Sequence, residues 1–202
     1  PKMSLLPKLS GVIEHKKIRI GYYSADFRDH PVASLTAELY EKHDRKNFEV
    51  YAFSYGPDTN DELNLRIKEG VDYFYDVHLM SHKETVILSR SLEIDIAINL
   101  GGFTQDSRTG IFAMNVAPIQ VNYLGYSGTM GIDYMHYLIA DMTVIPKDKQ
   151  AHYSEKIAYL PNSFMVNNSK NNISKKIFTR VDCGLPDEGF IFCYVKVFAR
   201  VM

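Results

Sequence analysis

The sequence predicts an α/β fold, a Rossmann-like parallel sheet with flanking helices. Three observations predict it. Apolar runs of strand length recur along the chain, segments of helical spacing separate them, and glycine-rich or polar turns end them. One run, IDIAINL (94–100), is nearly continuous, as a strand covered on both faces of a parallel sheet has to be. With 202 residues, 46% of them hydrophobic, the chain can bury one large core or two small ones.

Residues 1–15 mix Pro, Ser, Gly and Lys with little periodicity and read as a linker or the remnant of an upstream region; a Rossmann-like lobe is expected over 16–165. KIRIGYYS (17–24) alternates charge with Ile and ends in Tyr and Ser, as a strand does. From Pro31, the residues Val32, Leu35, Thr36, Leu39 and Tyr40 recur at helical spacing, and Pro31 suits a first helical turn because its missing N–H would be unpaired there anyway. FEVYAFSYG (48–56) is a second strand closed by a Gly-Pro-Asp turn, and DELNLRIKEG (61–70) a short helix stopped at Gly70. VDYFYDV (71–77) is a third strand, and SHKE (81–84) is a capping box before VILSRSL. IDIAINL ends at Gly101 and Gly102; RTGIFAMNV (108–116) is a helix, and APIQVNYL (117–124) a strand ended by GYSGTMG (125–131). Four or five strands are expected. Beyond Asp141 the pattern weakens: EKIAYLPN (155–162) is short, NNSKNNISKK (167–176) is a polar connector, and FIFCYV (190–195) resembles a strand opening a second unit. Residues 166–202 are therefore expected to be a connector and the aborted start of a carboxyl-terminal region.

The 23 Lys and Arg nearly cancel the 24 Asp and Glu, so the basic footprint of a nucleic-acid binder is missing, whereas a sugar or nucleotide ligand needs none. Cys183 and Cys193 are too few for a disulfide scaffold and lack metal spacing. Pro7 and Gly11 interrupt any signal-peptide core, and no apolar run approaches a membrane span, so a soluble, cytoplasmic protein is expected. The chain begins with Pro rather than Met, which leaves room for a larger parent.

In parallel sheets, ligands bind outside the carboxyl ends of the strands. Three unusual loops follow strands and are expected to share that edge: SADFRDHP (24–31), GGFTQDSR (101–108) and GYSGTMG. The first offers His30 as base, acid or donor, with Asp26 or Asp29 to hold its ring; the competing reading is that Asp29 or His30 simply caps the helix. In the second, Gly101 and Gly102 let backbone approach a ligand and Thr104 can cap the following helix; a turn needing positive φ explains the glycines equally well. In the third, Gly125, Gly128 and Gly131 match neither the dinucleotide fingerprint nor a phosphate loop, which counts against NAD, ATP and a flavodoxin-type regulatory domain. Asp58 with Asp61 reads as a turn and cap rather than a metal pair, and Ser81 starts a helix between His78 and His82, separating them. There is no Gly-x-Ser-x-Gly elbow.

Taken together, IGYYSADFRDHPVASL (20–35), IDIAINLGGFTQDSR (94–108), APIQVNYLGYSGTMG (117–131) and DYMHYLIAD (133–141) resemble the catalytic region of the O-linked N-acetylglucosamine transferases, a family 41-like group, and specifically its bacterial members with tetratricopeptide repeats. YSEKIAYLPNSF (153–164) and TRVDCGLPDEGFIFC (179–193) continue the likeness, which covers roughly 17–194 in order. It implies the amino-terminal lobe of a two-lobed GT-B glycosyltransferase, truncated here. Such enzymes are inverting and metal-independent, use no cofactor, and move a sugar from a UDP donor, a substrate, to Ser or Thr of a protein or peptide acceptor. The implied partners include the carboxyl-terminal donor lobe and upstream tetratricopeptide repeats, with no nucleic acid and no membrane. His30 is the implied catalytic candidate. Loops and likeness together mark Asp26, Pro31, Asp95, Gly101, Gly102, Thr104, Tyr126, Gly128 and Thr129 for substrate binding. Asp95 stands where animal members tend to carry a second histidine, and Ser127 where the family's turn usually has Pro. After GFIFC the family continues with an Asn-rich stretch and the donor lobe, but here YVKVFARVM follows, so the fragment alone is expected to be inactive. A non-catalytic peptide- or ligand-binding α/β module is the alternative.

Overall fold

The computed structural model describes residues 16–170 and 175–192; the chain divides into two compact units, 1–170 and 171–202. The first unit is one all-parallel sheet of seven strands: β1 (Ile18–Ser24), β2 (Phe48–Ser54), β3 (Tyr73–Asp76), β4 (Ile96–Asn99), β5 (Ile119–Asn122), β6 (Tyr137–Ala140) and β7 (Lys156–Tyr159). Their order is β3-β2-β1-β4-β5-β6-β7. The chain therefore builds outward from β1 to β3, crosses back, and builds outward again from β4. The reversal between β1 and β4 is the switch point at which loops diverge and a crevice opens above the strand ends.

Helices α1 (Pro31–Lys42) and α2 (Glu62–Gly70) share one face of the sheet, α3 (His82–Ser91) and α4 (Thr109–Ala113) the other. Alternation along each strand serves both faces. Ile20, Tyr22, Val50 and Ile98 pack with Ala33, Ala37, Tyr40 and Ile67, while Tyr23, Tyr51, Phe53 and Ala97 pack with Val86, Ile111 and Phe112. Burial on both sides explains why the central strands read as apolar runs rather than alternating ones. The aromatic-rich second strand forms a stack, with Tyr23 lying parallel to Phe53 at 4.5 Å and Phe53 near-parallel to Tyr75 at 5.5 Å.

Local chemistry sets the helix ends. Pro31 opens α1, Asp61 caps α2 by accepting from Asn64, and Ser81 and Glu84 form the reciprocal capping box of α3. The Asp58–Asp61 pair is a turn and cap: Asp58 pairs with Lys68 at 2.8 Å. Gly70 ends α2 without a left-handed turn, since positive φ among the described glycines occurs only at 102, 131, 184 and 189; its bare Cα instead lies against Glu41 of α1.

Seven strands replace the four or five expected. YLIA in β6 and KIAY in β7 are four residues each, no α-helix separates β5 from β6 or β6 from β7, and the βαβ rhythm that reveals the earlier strands is absent there. After β7 the chain folds back on α1. The Ser169 hydroxyl donates to Glu38, and the Lys170 ammonium pairs with Glu41, which also holds Arg66 at 2.7 Å. The second unit contains a 3-10 turn, Val181–Cys183, ended by left-handed Gly184, and Arg180 donates to the carbonyls of Pro186 and Gly189. Residues 190–192 are irregular, so the strand expected at 190–195 is not seen where it is described; its remainder, and the linker expected over 1–15, lie outside the described residues. No described helix is long and apolar enough to cross a membrane.

Candidate functional site

The loops leaving β1, β2, β4 and β5 converge at the carboxyl edge of the sheet. The β1 loop brings Asp26, Arg28 and His30 together. His30 is extended at the N-cap of α1, and its Nδ1 accepts from the Val32 backbone N–H at 3.2 Å. The same nitrogen lies 3.7 Å from Asp26 Oδ2, and the Arg28 guanidinium lies 3.6 Å from Asp26 Oδ1. Asp29 is not the cap; its amide donates to Asp61, tying this loop to the start of α2. Pro31 is exposed at the first turn beside the imidazole.

Asp26 is buried, and burial lifts its carboxyl above the ordinary range, with the charge of Asp106 adding to the effect while His30 and Arg28 oppose it. Behind it stands Tyr55, just past β2, whose phenol is pushed up by burial and by the charge of Asp26. The Arg108 guanidinium sits 5.8 Å from the centre of the Tyr55 ring and donates to the carbonyls of Val77 and Met80, clamping the β3 exit.

The β4 loop is shaped by Asn99, whose buried Oδ1 accepts from the amides of Gly101 and Gly102. Gly102 has φ +56, and a Cβ there would stand 2.3 Å from Cβ of Tyr126. Gly125 is equally confined, since a Cβ would meet the Leu100 carbonyl oxygen at 2.1 Å. The β4 and β5 loops are thus interlocked, with Phe103 edge-on to Tyr126 at 5.6 Å and half exposed above it. Asn122 at the end of β5 donates to the Tyr126 carbonyl, and its Oδ1, like Nε of Arg28, is buried without a hydrogen bond. Gly101 faces the Tyr55 hydroxyl, and Gly128 lies under that of Tyr126.

Three candidates have other places or partners. Thr104 does not cap the next helix: its hydroxyl closes a turn on the Gly101 carbonyl, and α4, five residues long, starts at Thr109 behind Arg108, whose side chain makes no cap. Too short for an anion site, α4 offers no dipole to a ligand. Asp95 stands at the amino end of β4, where its carboxylate accepts from the Arg19 amide, opposite the converging loops. Thr129 donates to Glu155, the residue before β7, while Met130's amide bonds the same carboxylate at 2.6 Å. Only the first part of GYSGTMG lies at the carboxyl edge; the rest returns toward the start of β6. The imidazole of His82 packs against Gly110, and the His78 amide donates to the Asp76 carboxylate.

Tyr55, Asn99 and Arg108 are residues of the candidate edge that the sequence reading did not single out. Tyr55 follows and Asn99 ends an apolar run, so only the position at a strand's carboxyl end marks them, whereas Arg108 stands beyond the β4 loop as the N-cap residue of α4. A cavity of about 410 Å³ lined by Asp133, Met135, His136, Tyr137, Ser154 and Lys156 opens at the amino ends of β6 and β7, away from this chemistry.

The sequence profile of glycosyl transferase family 41 matches residues 7–182. The chain is similar to the probable UDP-N-acetylglucosamine–peptide N-acetylglucosaminyltransferase SEC of Arabidopsis thaliana, 38% identical over 189 residues, covering 91% of this chain and 19% of that protein. It is 36% identical over 154 residues to the UDP-N-acetylglucosamine–peptide N-acetylglucosaminyltransferase of Caenorhabditis elegans, covering 75% of this chain and 13% of the other. Among solved structures, a point mutant of the Thermobaculum terrenum O-GlcNAc transferase superposes with a TM-score of 0.72 at 33% identity, over 75% of this chain and 29% of that one. The chain thus spans about a fifth or less of the curated relatives it matches.

Proposed function

The chain belongs to glycosyl transferase family 41, and from that membership we propose that it forms the acceptor-side lobe of an inverting enzyme that moves N-acetylglucosamine or a related sugar from UDP to Ser or Thr of proteins. The observation that carries this reading is the Asp26–His30 pair, 3.7 Å apart at the switch point of the sheet. In the transfer, the acceptor oxygen attacks the sugar carbon, the bond to UDP breaks with its electrons leaving on the phosphate, and His30 Nε2 takes the hydroxyl proton. Alignment of the hydroxyl opposite the leaving group supplies the rest, and the loops after β4 and β5, with exposed Phe103 beside Tyr126, form a wall for the acceptor chain. No step requires a metal ion or cofactor.

Transition-state stabilisation needs both walls of the cleft, so the 202 residues alone are inactive. The test is turnover of UDP-N-acetylglucosamine with a Ser/Thr peptide, by the chain alone and joined to the carboxyl-terminal lobe of a family 41 relative. Transfer only by the joined form, unchanged by chelator, supports the reading; robust transfer by the chain alone overturns it. The second reading, a non-catalytic ligand-binding module, is favoured by one observation: His30 already caps α1. It requires that the joined form bind peptide without transferring sugar.

A further inference from the structure

We propose that Asp26 is a positioning residue that converts His30 from a helix cap into a proton acceptor by taking over the ring nitrogen now bonded to Val32. This inference rests on the reading of His30 as the base.

A ring nitrogen that accepts a hydrogen bond carries a lone pair, so with Nδ1 accepting from Val32 the proton of the neutral ring resides on Nε2. In that tautomer His30 is a poor base: Nε2 is protonated and the Nδ1 lone pair is engaged. The other tautomer reverses this. With its proton on Nδ1 the ring cannot accept from Val32, and the group within reach of the new donor is Asp26 Oδ2, 3.7 Å away. Nε2 then presents its lone pair to the cleft. The same arrangement is required after proton uptake, because an imidazolium donates at both nitrogens and cannot cap a helix by accepting. It would also face the positive end of α1, a twelve-residue helix, and the Asp26 carboxylate offsets that repulsion.

The surroundings assign this role to Asp26 rather than Asp29. Asp29 is a neighbour in sequence, but its backbone is tied toward Asp61. Asp26 pairs through its other oxygen with Arg28 at 3.6 Å, which offsets the like charge of Asp106 acting from the β4 loop. Its own amide is pinned by the Ser24 hydroxyl at 2.9 Å. A carboxylate so fixed accepts Nδ1–H with a small movement of the ring, and the Val32 amide reports the exchange directly.

The test uses the 202-residue chain labelled with ¹⁵N, so that it needs no transfer activity. Ring spectra at neutral pH give the ratio of His30 tautomers, and hydrogen exchange gives the protection of the Val32 amide. Asp26→Asn lowers the Nδ1–H fraction roughly fivefold, as a charged acceptor is replaced by a neutral one; Asp26→Glu restores part of it. In the unsubstituted chain, acidification that protonates the ring exposes the Val32 amide to exchange while the rest of α1 stays protected. An unchanged tautomer ratio in Asp26→Asn, or a Val32 amide still protected when the ring is protonated, overturns the proposal. Either failure leaves the role of His30 as base to be judged separately, by transfer in the joined enzyme.

Discussion

Replacing Gly102 with Ala tests the interlock of the β4 and β5 loops, and Gly131 provides a matched control. Both glycines have left-handed φ, +56 and +64, so an alanine at either pays the same conformational cost, about 1–2 kcal/mol. They differ in what a Cβ meets. At Gly131 nothing lies within 4 Å, while at Gly102 Cβ of Tyr126 stands at 2.3 Å, well inside carbon–carbon contact. Tyr126 must be displaced, and overpacking of this kind adds about 1–3 kcal/mol. With a urea slope of about 2 kcal/mol per M, Gly131→Ala lowers the unfolding midpoint by about 0.5–1 M and Gly102→Ala by about 1–2.5 M. A fluorescence-monitored urea titration of the two variants reads the difference. Equal midpoints would refute the reasoning, since they would mean that the loops are not packed together at the candidate cleft.

Asn99→Ala leaves the Gly101 and Gly102 amides without their acceptor and costs about 1–3 kcal/mol in the same titration. Ser81→Ala removes half of the α3 capping box and costs about 1 kcal/mol, with amide exchange faster in the first turn of α3 than elsewhere. Glu41 is held down at about 2, chiefly by its hydrogen bond from Arg66 and then by that from Lys170. Its folded value lies below the unfolded one, so its contribution is complete above about pH 4.5 and is lost as pH falls through about 2. The gap in melting temperature between the unsubstituted chain and Glu41→Gln therefore closes on acidification over that window; a gap that persists at pH 2 contradicts the pairing.

The first five strands were legible because burial on both faces leaves apolar runs, and the helices between them restore the βαβ rhythm. Ser81 with Glu84, Asp61 and Pro31 could be placed because caps are decided by neighbours in sequence. β6 was hidden for the opposite reason: it begins after a long return loop with no helix, and its four residues differ little from any other short apolar stretch. At the site, His30 and its carboxylate lie within one loop and could be found. Thr104 closes a local turn on Gly101 instead of capping the next helix, because a hydroxyl near glycines looks the same in either role, and Glu155 reaches Thr129 only through tertiary structure. Asp95 carried a clue to its position, since it opens its strand rather than ending it. Tyr55 and Arg108 acquire meaning only when β2 and the β4 loop are brought side by side.

His30 serves both as cap and as proposed base, so His30→Ala would confuse the two roles. His30→Asn separates them, because Asn is among the best N-caps but cannot take up a proton at neutral pH. In the joined two-lobe enzyme, the account predicts that His30→Asn lowers kcat for transfer to a Ser/Thr peptide by roughly 100-fold or more, with the urea midpoint and peptide affinity unchanged. Transfer within about twofold of the unsubstituted enzyme would contradict it, leaving His30 a helix cap and nothing more.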